Sequence, residues 1–414
     1  MKQSKHNIYY SPKEVRTILE RSIDTALHGL KCYCNDPVSD FTRCRKLPAR
    51  SLIECIMSFS NYSSIGELSH FFVGQGEMPS ASALSQRRQL LDPDIFKRIN
   101  NLFVSAFDDH TTINGYHILA QDGSDVNIPF MDDKTKTEKH DAKSFCQYHV
   151  NALYDCLNKV FYDWSIDAAS KKREVNALIS ILKDRNYPQN SIFTADRGYE
   201  SYNLMAHFIE NDIKFVIRVN DIHTKSGLMT NIKTEEGAFD IRVTRTLTSL
   251  QTKEIKADKE KYIFVPSTSN FDFLDETRDL YDLSFRAVRF KISEDTYETV
   301  VTNLSEEEFK TEDFKELYHY RWNEETAFNK LKYTIGLVYF HARKRKLIQQ
   351  EINAAFLMYN VSEVIIRNIY LKKNKKPELE YDYKPNFSSA VTNIRLYLRK
   401  KINMKELILR IKKF

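Results

Sequence analysis

The sequence predicts an α/β fold: a mixed sheet with helices, set between a helical N-terminal domain and a helical C-terminal region, and interrupted by an antiparallel β insertion. Three observations predict it. From about residue 115 the apolar patterning runs three strands, helix, strand, helix, strand, an order that suits a mixed sheet. Between Asn220 and about Asn303 helical periodicity stops, and "AFDIRVTRTL", "KYIFV", "LSFRAVRFKI" and "YETVVTNL" alternate polar with apolar residues, as half-solvated antiparallel strands do. On both flanks apolar residues recur at helical spacing. The boundaries expected are 1–110, 111–345 with the insertion at about 220–303, and 346–414.

The first helix opens at "SPKEV", where Ser11 is an N-cap, Pro12 takes the first turn and Glu14 follows three residues later. "RKLPARSLIECIMSFS", "IGELSHFF" and "ALSQRRQLLDPDIFKRINNLFVSAF" continue as helices. Within them, "SASALSQRRQ" suits a DNA-reading helix, capped by Ser80 or Ser82, with Gln86, Arg87 and Arg88 exposed; an arginine pair on a helix is more often only solvated. "YHILAQD" reads as a strand, "DGSD" as a turn, and "YHVNALYDCL" and "KVFYDWSID" as two paired strands beyond the charged loop "MDDKTKTEKHDAK". "SKKREVNALISILKD" is an amphipathic helix, "SIFTAD" a buried strand ending at Asp196, "YESYNLMAHFIEN" a helix and "IKFVIRV" a strand. After the insertion, helix returns in "LSEEEFKTEDFKELYHYRWNEETAFNKLKYTIGL" and in two further long segments.

At 414 residues, with 42% hydrophobic residues and 26 phenylalanines, the chain can fill real cores and is not a disordered protein. No segment approaches the roughly 18 apolar residues of a spanning helix, and "MKQSKHNIYYSPKEV" lacks the apolar core of a signal peptide, so a cytoplasmic protein without a membrane partner is expected. The six cysteines have no zinc-knuckle spacing and read as reduced thiols. Charge is uneven: from Arg343 to Phe414 there are 18 Lys and Arg against 6 Asp and Glu, on a body that is otherwise slightly acidic. A basic end of this kind suits a polyanion, or merely solubilises the tail.

Chemistry concentrates in "ELYHYRWNEETAFNKLKYTIGL". With about 100° per residue and Tyr318 at zero, Arg321, Glu325 and Lys332 fall near −60°, −20° and −40°. These four side chains share one narrow arc. Glu324 lies near −120°, off the stripe, and its replacement by alanine is expected to be mild. The same stripe would also suit a solvated face held by pairs three and four apart. "TADRGY" places Asp196 at a strand end before a helix, where open α/β sheets present ligand-binding groups, although a capping aspartate would also stand there. "AQDGSDV" ends the first strand with Asp122, and Asp125 competes with it for any catalytic role. In the expected sheet the ends of the first and fourth strands lie side by side, within reach of the helix after the insertion. Three converging carboxylates repel each other unless divalent cations neutralise them. Mg²⁺ suits such oxygen ligands, and a pair of ions can serve an in-line phosphoryl transfer.

The spacing Tyr318-x2-Arg321-x3-Glu325-x6-Lys332 resembles the YREK signature of bacterial insertion-sequence transposases with a DDE domain, and "DGS" at Asp122 and "DRGY" at Asp196 resemble that family's two aspartate motifs. The resemblance extends over roughly residues 45 to 365. It implies a ribonuclease H-like core and cut-and-paste transposition in the bacterial cytoplasm, near the nucleoid. Asp122, Asp196 and Glu325 would hold two Mg²⁺, with Mn²⁺ able to substitute. Tyr318, Arg321 and Lys332 would grip phosphates, and Trp322 would stack on an unpaired base during hairpin formation or else pack in the core. The implied partners are double-stranded DNA, at terminal inverted repeats and at the target, and a second copy of the chain in the synaptic complex. The C-terminal helices are one candidate bridge between copies; removal of residues after about 385 would then leave a folded protein unable to pair two ends. A DNA-binding derivative without activity and a metal-dependent nuclease are the alternatives.

Overall fold

Ser11 starts the first helix as its sequence demands: its hydroxyl accepts from the Glu14 N–H at 3.3 Å, and Glu14 reaches back to the Ser11 N–H at 2.7 Å, a closed capping box. The computed structural model describes residues 1–5, 8–43, 45–74, 76–108, 110–129, 136–137, 145–169, 174–222, 224, 226–266, 268–269, 271–294, 296–371 and 385–413. The helical N-terminal part comprises β1 (Gln3–Lys5), α1 (Pro12–His28), α2 (Ala49–Met57), α3 (Ser64–Phe72), α4 (Ala81–Leu90) and α5 (Asp94–Val104), and β2 (Thr111–Ile113) pairs back with β1. Ser80, not Ser82, caps α4, accepting from Ala83 N–H at 3.1 Å.

The sheet begins with β3 (His117–Ile128), β4 (Lys136–Thr137), β5 (Phe145–Asp155) and β6 (Val160–Ala168). It continues through α6 (Glu174–Asp184), β7 (Ser191–Ala195), α7 (Tyr202–Glu210) and β8 (Lys214–Val219). The insertion supplies β9 (Phe239–Thr248), α8 (Lys253–Ala257), β10 (Tyr262–Phe264), β11 (Leu280–Ser293) and β12 (Thr296–Thr302). All ten strands from β3 to β12 join one sheet in the order β10-β9-β11-β12-β8-β7-β3-β5-β4, with β6 also on β5. β3, β7 and β8 are parallel to one another, whereas β5 and β6 are antiparallel additions. The inserted strands extend this sheet through the β12–β8 pairing, so the insertion has no sheet of its own. The expected "DGSD" turn is absent, because β3 runs straight through it, paired residue for residue with β5 from Leu119 to Ile128.

The chain then returns to helix: α9 (Asp313–His319), α10 (Trp322–Lys330), a π-helical turn at Leu331–Ile335, α11 (Arg345–Leu371), α12 (Phe387–Leu398) and α13 (Met404–Lys413). α11 explains its own apolar sequence. It runs between the N-terminal helices and β6, and Ile348, Ile352, Phe356, Leu357, Tyr359, Val361 and Ile365 are all buried. These residues are therefore consumed inside one chain. α12 buries Ala390, Val391, Ile394 and Tyr397, and Arg395 donates from Nη2 to the Ile335 carbonyl at 2.8 Å. The C-terminal helices thus brace the body of the protein. One buried core runs from the N-terminal helices through the sheet to α13. Among the described residues no helix is long and apolar enough to cross a membrane, and the described cysteines are free thiols. The Lys-rich run from Lys372 to Lys376 lies outside the described residues.

Candidate active site

Strand pairing positions the first two carboxylates. The parallel register of β3 and β7 ends with Gln121 opposite Ala195, so Asp122 and Asp196 each follow the last paired residue of adjacent strands. β7 stops there, while β3 continues because β5 still pairs its other side. Asp122 Oδ1 accepts from the Gly123 N–H at 2.7 Å. Burial pushes the Asp122 carboxyl above the usual carboxylate range; the Gly123 N–H and the Arg321 charge oppose this, and the charges of Asp196 and Glu174 add to it. Asp196 Oδ1 accepts from the Gly198 N–H at 2.8 Å, capping the short turn Arg197–Tyr199. Capping and membership of the site are therefore not exclusive readings of Asp196.

The third carboxylate arrives on the helix after the insertion. Arg321 Nη2 donates to Glu325 Oε1 at 2.9 Å, and Nη1 lies 3.8 Å from Asp122 Oδ2. One guanidinium, only 4% exposed, thus links the first and third carboxylates. Burial works against its charge, but Tyr318, Glu325 and Asp122 more than compensate and hold it firmly protonated. Tyr318 is buried beneath it, with the Arg321 Cζ 5.6 Å from the ring centroid. As the site stands, then, the tyrosine supports the arginine from below; its hydroxyl is buried, without the open face that the phosphate-gripping role requires. Trp322 is 50% exposed beside Arg321, so it is a rim residue and not a core one.

Glu324 departs from expectation. It is wholly buried, and no hydrogen bond of normal geometry reaches either carboxylate oxygen among the described residues. Burial, and after it the charge of Asp122, push its carboxyl well above the ordinary range. It stands on the packing side of the helix, and a mild effect of its removal does not follow. Lys332 sits in the π-helical turn, half-buried; burial lowers its pKa and the nearby Asp125 opposes that.

Asp125 has a structural occupation. Opposite it in the β3–β5 register stands His149, whose Nδ1 is 2.6 Å from Asp125 Oδ1. The other ring nitrogen, Nε2, lies 3.1 Å from Glu174 Oε1. Sequence reasoning missed both His149 and Glu174, although a hydrophobic strand carrying one histidine opposite an aspartate is a readable signal once β3 and β5 are paired.

The expected DNA-reading helix divides. Gln86 is exposed. Arg87 donates from Nε to the Leu47 carbonyl at 3.2 Å and stacks on Phe41. Arg88 was expected at the surface but is 3% exposed. It donates to Glu351 Oε1 at 2.6 Å, to the Leu347 carbonyl at 2.7 Å and to Gln350 Oε1 at 3.2 Å. A guanidinium locked in this way ties α4 to α11 and cannot face a DNA groove.

Among the described residues no group of three carboxylates, imidazoles or thiols already closes on a single metal position. The donor set nonetheless fits a hard divalent cation: every candidate ligand is a carboxylate, and a cation would offset both the burial that chiefly raises Asp122 and the smaller push from Asp196 and Glu174.

No curated protein matches the chain. A solved structure, described as "Cryo-EM structure of piggyBac transposase synaptic complex with hairpin DNA (SNHP)", aligns over 100% of this chain and 87% of its own, with 11% identity and a TM-score of 0.46. Residues 113–361, well over half of the chain and spanning all three carboxylates, match the family described as "Transposase DDE domain", and the chain belongs to that family.

Proposed function

We propose that the protein is a DNA transposase of the cut-and-paste type, cleaving the ends of its element and joining them to target DNA by phosphoryl transfer. The observation that carries this reading is the meeting of Asp122 and Asp196 at the ends of adjacent parallel strands, with Glu325 drawn toward Asp122 by Arg321. The strand order β6-β5-β3-β7-β8, antiparallel then parallel, supports a ribonuclease H-like core. In this reading Asp122, Asp196 and Glu325 hold two Mg²⁺, or Mn²⁺ in their place. Ions bound there supply charge neutralisation for the reacting phosphate and acidify a water nucleophile.

The chain's own residues do the rest. Arg321 is held charged at the junction of two ligands, so a scissile phosphate approaching Asp122 meets a fixed cation whose position Tyr318 supports. Lys332, in the π-helical turn and within reach of the Asp125 charge, would supply a second cation. Trp322, exposed beside Arg321, offers a face on which an unpaired base can stack during a hairpin step. DNA and a second copy of the chain are the partners of this reaction.

The test is to offer the protein a pre-cut element end with a free 3′ hydroxyl, target DNA and Mg²⁺. Joined products are expected. Hydrolysis without joining would make it a nuclease, and tight end binding with neither product would make it a DNA-binding derivative.

A further inference from the structure

Both aspartate motifs contain a glycine, Gly123 directly after Asp122 and Gly198 two residues after Asp196. Neither has the left-handed backbone that would explain a glycine by conformation. Space explains them. A Cβ at Gly123 would overlap His149 Nε2 and stand 3.0 Å from Glu174 Oε1. A Cβ at Gly198 would stand 3.0 Å from Asp196 Oδ1 and 3.5 Å from Glu174 Oε2. The carboxylate of Glu174 therefore lies between the two motifs, with one oxygen against each glycine.

Glu174 stands in the first turn of α6, where a glutamate is often present only for the helix dipole. Two contacts argue against that here. Its side chain turns inward to the sheet, where His149, itself fully buried, presents Nε2 at 3.1 Å. His149 is fixed in turn by Asp125 at 2.6 Å from Nδ1, and Asp125 is the carboxylate whose charge Lys332 feels. A solvated dipole partner needs no such support, whereas a metal ligand is held by hydrogen-bonded groups behind it. Glu324, close enough for its carboxyl to feel Asp122, is buried and without a hydrogen bond of normal geometry among the described residues, an unpartnered polar group of the kind a bound cation or its water would satisfy.

We propose that Glu174 is a fourth carboxylate of the metal site, bridging the Asp122 and Asp196 motifs and held in place by the Asp125–His149 pair. The proposal rests on the transposase reading above and adds a ligand to it. Asp125, read from sequence as a rival of Asp122, becomes a positioning residue that acts through His149.

The test is Mn²⁺ binding by the full chain without DNA, followed by electron paramagnetic resonance. Glu174→Gln is expected to weaken Mn²⁺ by about tenfold or more, with the melting temperature and metal-free binding of an element end unchanged. Asp125→Asn should give a smaller loss in the same direction. If Glu174→Gln binds Mn²⁺ as the parent does while Asp122→Asn loses it, the proposal is overturned and the three-carboxylate site survives. If neither variant changes Mn²⁺ binding, both readings fail. Should the glutamine variant melt early, Glu174→Asp replaces it, keeping the charge but withdrawing the oxygens by one methylene. Weaker Mn²⁺ at an unchanged melting temperature is then expected, and unchanged affinity would overturn the proposal.

Discussion

Two neighbouring glutamates in this chain have opposite surroundings, and they yield the sharpest predictions at the residue scale. Glu325 reaches the Arg321 guanidinium at the edge of the site, and Glu324 is sealed beneath it. Alanine at Asp122, Asp196 or Glu325 is expected to reduce cleavage below detection while leaving end binding within about twofold, because each change removes a ligand and not a DNA contact. A gel-shift titration beside a cleavage assay checks this, and loss of binding in parallel with cleavage would count against the assignment. Glu324→Leu is expected to stabilise the protein at neutral pH by roughly 1–3 kcal/mol, since it replaces a buried carboxyl lacking hydrogen bonds with a side chain of similar size. The sign with pH follows from the raised folded-state pKa. The folded protein retains the Glu324 proton that the unfolded chain releases above about 4.5, so this group's penalty is absent below that pH and grows as pH rises. Denaturation of both proteins at pH 4.5 and pH 8 should show the gap widening; a constant gap would refute the argument. The burial was legible. The same helix arithmetic that sets Glu325 on the charged stripe sets Glu324 about 20° from Leu331, on the packing side. What the sequence could not convey was which groups Glu324 would meet there, because Asp122 lies some 200 residues earlier on a strand.

Some elements in this fold are joined by buried charge as well as by apolar contact. His341, in the stretch between the π-helical turn and α11, places Nδ1 at 3.1 Å from Glu351 and Nε2 at 3.4 Å from Glu67. Arg88 reaches Glu351 from α4. Burial disfavours the imidazolium, but Glu351 and Glu67 outweigh it and raise His341 to about 9. Its folded-state pKa exceeds the unfolded value near 6.5, so its contribution is complete below that pH and is lost as pH rises through about 9. The contribution is on the order of 3 kcal/mol. His341→Gln should accordingly lower stability at pH 6.5 and flatten its decline toward pH 9.5; an unchanged slope in a denaturant series would remove His341 as the cause. Arg88→Ala should cost on the order of 3 kcal/mol, since it strips Glu351 and Gln350 of a buried donor. It should not alter sequence preference, which selection from a random-sequence pool would measure. Gln86, exposed on the same helix, is the position where a change of preference is expected. Local spacing hinted at this division: Leu84, Arg88 and Leu91 share one helical stripe, and Leu84 and Leu91 are buried. The partners of Arg88 lie about 260 residues away and had no local signature.

At the scale of the whole molecule, the succession of strands and helices was readable from periodicity, and β7 and β8, apolar runs joined by α7 alone, were readable as parallel neighbours. The joining of the insertion to the same sheet was not, because alternation within a strand reveals its buried face and not its neighbour. The C-terminal helices show the same limit. Their apolar residues suited either a contact between copies or a cap on the body, and the fold takes the second course. Val391, Ile394, Tyr397, Leu407 and Ile411 are buried within the chain. Arg395 adds a donor to the Ile335 carbonyl, at the end of the turn that carries Lys332, and to Ser60 Oγ at 3.1 Å. Removing residues after 385 is therefore expected to destabilise the protein by on the order of 5 kcal/mol or more. The π-helical turn would loosen first, because its last carbonyl loses the donor that fixes it. Lys332 would then be misplaced, and binding of a single end should fall along with the melting temperature. A truncated protein that melts within a degree or two of the full chain, holds one end normally and fails only to pair two would show instead that these helices serve the contact between copies.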